Sequence, residues 1–174
     1  MGVTMVEDPK VAASAWREVF NSNDPFGWPF EPSIKRGCLF FPTDGLHLTR
    51  QQYSALMVAI AAAGEPGFFV SIVESEGLGF LHRSSGHWWL QAPSYEEYSA
   101  MNLTLENALY SAHGNWGIVV SHESHAVVGG TAPIVESVSR HYGCSASDYL
   151  SLRDQWSGNP NSEWITTLPD FSAE

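Results

Sequence analysis

The stretch Trp116-Gly117-Ile118-Val119-Val120-Ser121-His122-Glu123-Ser124-His125-Ala126-Val127-Val128-Gly129-Gly130 places two β-branched apolar runs on either side of a short polar island. Runs of this kind suit a pleated, buried surface, so Trp116 to Ser121 and Ala126 to Val128 are expected to form adjacent strands of a hairpin. His122 to His125 is its tip, and a two-residue turn would set His122 and His125 opposite each other on one face. Immediately after it, Thr131-Ala132-Pro133 opens a helix with Ile134, Val135, Val138 and Tyr142 inward and Gly143 as its stop. A second helix begins at Ser145 and Asp148 and carries Tyr149, Leu152 and Trp156. Residues 158–174 read as an irregular acidic tail, docked through Trp164 and Ile165.

Upstream, Gly114-Asn115 breaks a helical pattern that starts with the capping box of Ser94 and Glu97 and continues through Tyr95, Tyr98, Met101, Leu105, Ala108 and Leu109. His87 to Gln91, Leu78 to His82 and Phe68 to Glu74 are expected as strands. Thr49 and Gln52 form another capping box, with Tyr53, Leu56, Met57 and Ile60 on the face of a helix ending at Gly64. Cys38 to Phe41 reads as a buried strand, and Pro9 to Asn21 as a first helix with Val11, Ala15, Trp16, Val19 and Phe20 at helical spacing. Between them, residues 21–36 set Phe26, Trp28 and Phe30 among four prolines and glycines, which predicts an ordered aromatic loop pinned to the body. Short turns between neighbouring strands predict an α+β fold in a single domain over residues 1–174. Its sheet is expected to be antiparallel or mixed, with about five helices on it.

Composition narrows the function. The 174 residues are 44% hydrophobic and 16% charged, a globular balance, and they carry 8 Lys and Arg against 19 Asp and Glu, a net charge of −11. Seven carboxylates but only Arg83 lie between Glu65 and Glu123. Such a surface repels phosphate backbones, which argues against nucleic acid and for a basic partner. Two widely spaced cysteines, Cys38 and Cys144, make no disulfide framework, and the opening residues lack the pattern of a signal peptide. The expectation is a cytoplasmic protein, and no apolar run is long enough to span a bilayer.

No complete catalytic motif is present, and no cofactor is implied. His122, Glu123 and His125 are candidate metal ligands, but two histidines three apart fall short of the His-Glu-x-x-His arrangement, and a solvated hairpin tip accounts for the same residues. Gly129-Gly130-Thr131 lacks phosphate-loop spacing. Trp88 and Trp89 are adjacent in a strand, so they point to opposite faces, and one of them beside carboxylates would serve as a binding anchor. Together with Glu74, Glu76, Glu96 and Glu97 they are the candidate partner-binding residues.

In general character over its whole length, the chain resembles small bacterial immunity proteins that neutralise toxin domains of polymorphic secretion systems. The acidic stretch from Glu65 to Glu123, and the hairpin Trp116 to Gly130 followed by a short helix, carry the resemblance. It implies inhibition by occlusion, with an acidic face covering the basic channel of a toxin or enzyme. Two other readings compete with it: a small enzyme or metal-binding protein using His122 and His125, and a small-ligand domain with a tryptophan-lined pocket.

Overall fold

The computed structural model describes residues 2–73, 77–143 and 145–169. Their strands are β1 (Gly2–Met5), β2 (Arg36–Phe40), β3 (Phe68–Ile72), β4 (His87–Gln91), β5 (Asn107–Tyr110), β6 (Trp116–Val120) and β7 (Ala126–Gly130). The α-helices are α1 (Pro9–Val19), α2 (Arg50–Ala62), α3 (Tyr95–Ser99), α4 (Ala132–Tyr142) and α5 (Ser145–Gln155), and 3-10 helices cover Gly77–His82 and Ser162–Thr167. The strands make one antiparallel sheet in the order β1-β4-β3-β5-β6-β7-β2. The fold is α+β, with a larger sheet than short-range patterns suggested.

Local chemistry explains where the helices begin and end. Asp8 caps α1 through Lys10 N, Thr49 and Gln52 close a reciprocal capping box on α2, and Ser94 and Glu97 do the same on α3. At the end of α4, Gly143 takes a left-handed conformation (φ 77°) that a β-carbon would disfavour. Buried Asp148 in the first turn of α5 accepts hydrogen bonds from Tyr142 Oη (2.6 Å) and Phe41 N (2.7 Å), tying both C-terminal helices to the end of β2. Burial pushes the Asp148 carboxyl above its ordinary range.

Both faces of the sheet are covered. Phe40, Val70, Leu109, Ile118 and Val128 pack with α2 and α4, while Leu39, Phe69, Tyr110, Val119 and Val127 pack with α1, the first 3-10 helix, α5 and the loop after α1. On the second face one cross-strand row runs Gly37, Gly129, Gly117, Tyr110, Phe69, Trp89 across six strands. Over the glycine half lie the rings of Trp28, Phe30 and Phe20, so close that a β-carbon on Gly37, Gly129 or Gly117 would come within 2.6 Å of a ring atom. Those rings pack on one another, Trp28 to Phe30 at 4.7 Å and Phe30 to Phe20 at 5.2 Å between centroids. Over the aromatic half sits the small-residue face of α1, with Ala12 and Ala15 beside fully buried Trp16, whose ring meets Phe80 and Tyr110 edge-on.

Three expectations are corrected. Gly77–His82 is a 3-10 helix and not a strand: Phe80 and Leu81 are both buried in the same cluster, whereas consecutive strand residues point to opposite faces. The helix begun at Ser94 stops after one turn, and Asn107–Tyr110 is a strand. Its residues are buried throughout because both faces are covered, and a continuous apolar run has no period of its own to tell strand from helix. The tail is not wholly irregular, since the 3-10 helix Ser162–Thr167 buries Ile165.

The glycine row predicts the cost of single methyl groups. Gly117→Ala and Gly129→Ala should each lower stability by about 2–3 kcal/mol in urea unfolding, because the added carbon overpacks a filled layer. Gly27→Ala, whose β-carbon meets only Thr167 Oγ1 at 3.6 Å, should stay within about 0.5 kcal/mol of the parent. Equal effects at all three positions would refute the packing account.

Candidate functional site

The hairpin tip does not have the geometry of a two-residue turn. Ser121 N donates to His125 O (2.9 Å), so Ser121, and not His122, faces His125. The loop is His122-Glu123-Ser124, with Ser124 left-handed at φ 59°. Consequently the two histidines part company, against the expectation that they lie side by side in solvent. His125 is fully buried; its Nε2 lies 3.0 Å from Pro25 O and its ring stacks on Trp164 at 4.8 Å. His122 stays 60% exposed, with Nδ1 2.8 Å from Glu106 Oε1 and Nε2 3.4 Å from Glu123 Oε1. Among the described residues no three His, Cys, Asp or Glu side chains converge to hold a metal ion.

What the hairpin does build is one wall of a cleft of about 590 Å³. Asp24 and Phe26 come from the loop after α1, Glu123 from the hairpin tip, Trp156 from the end of α5 and Trp164 from the second 3-10 helix. The three rings stand at steep angles: Phe26 and Trp164 at 81° and 5.3 Å, Trp156 and Trp164 at 88° and 5.4 Å, Phe26 and Trp156 at 61° and 6.2 Å. Asn159 and Asn161 add amides to the lining. Behind the rings, the His125 contact with Pro25 O fixes the backbone that carries Phe26, so the aromatic corner is braced from the core.

The sequence-marked partner residues lie elsewhere. Trp88 and Trp89 are each half-buried on opposite faces, Trp88 against the α2 side and Trp89 against Phe69 and Gly67. Exposed Glu96 pairs with Arg50 at 2.7 Å, and that contact holds its carboxyl below the usual range. Glu97 is spent on capping Ser94. Glu74 and Glu76 lie outside the described residues, as does Cys144, whereas Cys38 is buried. Sequence reasoning missed the cleft because its walls come from four segments. The available signals were the aromatic loop and the tail residue Trp164.

Two polar clusters resemble catalytic groupings, and both are structural. Ser71 Oγ lies 2.7 Å from His87 Nδ1 and 2.8 Å from Tyr110 Oη, but all three residues are sealed between sheet and helices, with His87 Nε2 3.2 Å from Phe80 O. No substrate reaches a hydroxyl so placed. Glu65 accepts hydrogen bonds from Ser111 (2.7 Å) and Asn115 (2.9 Å) and meets His113 (3.1 Å), fastening the end of the α2–β3 loop to the β5–β6 turn. Burial raises its carboxyl, yet these partners outweigh burial and hold it below the ordinary range.

The buried histidines set a pH response. Burial holds His87 and His125 below the ordinary value of 6.5, so the unfolded chain binds more protons than the folded one as pH falls past that value. Their contribution to stability is complete above about pH 7 and is lost on acidification toward the lowered folded values. His87→Gln and His125→Gln should each flatten the fall in unfolding free energy between about pH 6.5 and 5.5, by up to ~1.4 kcal/mol per pH unit. An equally steep fall in both variants would assign the effect to carboxylates instead. No protein-family model, curated protein or solved structure matches the chain.

Proposed function

We propose that this protein is a cytoplasmic, acidic binding protein of the immunity type, which inhibits a toxin or enzyme by occluding a basic surface. Charge balance carries the reading. Nineteen carboxylates face eight Lys and Arg, and Glu7, Glu18, Asp24, Asp44, Asp154 and Glu163 are all exposed. Charge of one sign on a surface raises the local concentration of an oppositely charged partner and speeds encounter. The buried Ser71–His87 pair is structural and offers no open reaction centre. None of the helices among the described residues is long and apolar enough to cross a membrane.

Capture with the purified full chain from its native cells, followed by reconstitution from purified components, tests the proposal. The expected partner is stoichiometric and basic, and its association rate constant should fall at least tenfold between about 0.05 and 0.5 M salt while dissociation changes far less. Replacing Glu74, Glu76 and Glu96 with Gln should slow association in the same sense. An association rate indifferent to salt would assign the acidity to solubility and remove the main support for occlusion.

A further inference from the structure

We propose that the cleft between Phe26, Trp156 and Trp164 is a socket for an arginine side chain of the protein partner. The inference rests on the binding reading above and names the group recognised. Three ring walls at 61° to 88° to one another form a corner, and the faces of indole and phenyl rings attract cations. Asp24 and Glu123 supply two carboxylates to the same cleft. Asp24 spends Oδ1 on Phe26 N (2.8 Å), a contact that turns the loop and keeps the carboxylate beside the ring it helps to place.

The mixture of walls selects among cations. A quaternary ammonium ion satisfies ring faces but has no N–H to offer two carboxylates and the amides of Asn159 and Asn161. An ammonium group donates, but it is compact and strongly hydrated. Guanidinium is flat, stacks on an indole with one face and donates from its edge, so it alone matches stacking walls and acceptors together. Anions are repelled by the carboxylates, and an apolar side chain would strip their water without replacing it. His125, stacked on Trp164 and bonded to Pro25 O, holds the corner in place before the ligand arrives, which lowers the entropic cost of binding.

The test uses the full chain labelled with nitrogen-15 and follows the indole N–H resonances during titration with N-acetyl-arginine amide at low salt. Expected are saturable shifts of Trp156 and Trp164 with a dissociation constant of about 1–10 mM. The uncharged isostere N-acetyl-citrulline amide and tetramethylammonium should each bind at least about tenfold more weakly, since each lacks one of the two features selected. Asp24→Asn combined with Glu123→Gln keeps shape and the Asp24 turn acceptor while removing both charges, and should weaken the arginine probe at least about fivefold with unfolding unchanged. Absence of saturable shifts, equal response to citrulline, or unchanged affinity in the double variant would overturn the socket. Any of these would leave salt-dependent association with a basic partner standing. Conversely, salt-indifferent association beside selective arginine binding would overturn the steering model and retain the socket.

Discussion

The structure depends on a row of glycines that lets aromatic rings touch the sheet. Gly37, Gly129 and Gly117 stand side by side on β2, β7 and β6, and Trp28, Phe30 and Phe20 fill the layer that their missing side chains leave open. In the same row Tyr110 and Phe69 reverse the arrangement, rising from the sheet toward the small residues of α1, and the Trp89 ring lies over Gly67. Large meets small in both halves, which is how an interior reaches crystalline density without strain. A loop rich in proline and glycine has little order of its own. Here its order is lent by the sheet beneath it.

That dependence extends to the cleft. The loop seated on the glycines continues through Pro25 and Phe26, where His125 at the end of the hairpin fixes it from below. The C-terminal segment then closes the corner with Trp164, whose neighbour Ile165 is buried in the same core as Phe30. The cleft and the folding core are therefore continuous. Charge is held by local contacts throughout: Glu96, Glu97 and Glu65 are tied to neighbours away from the cleft, and at the aromatic corner Asp24 accepts from Phe26 N and Glu123 lies beside His122.

Legibility in the sequence followed the range of the interactions. Capping boxes at Thr49 and Ser94, the glycine stop at Gly143 and the hairpin strands are set by residues a few positions apart, and these were readable. Asn107–Tyr110 was misread because its apolar spacing fits a helix as well as a strand, and only neighbours on both sides choose the strand. His125 was misread because a loop of three residues differs from one of two by a single position, yet that difference turns a side chain from solvent into the core. The aromatic corner joins positions 26, 156 and 164, a meeting that no local pattern encodes.

Strand order has a consequence for how the chain is made. β2 is buried at four of its five positions, yet its partner β7 follows about 90 residues later. At about 5–20 residues per second, a ribosome leaves Cys38, Leu39 and Phe40 without their sheet for roughly 4–20 s. β1 waits almost as long for β4. The nascent chain thus carries an unpaired apolar strand through about half of its synthesis, and β5, β6 and β7, which pair with their sequence neighbours, are the natural platform on which β2 finally lands.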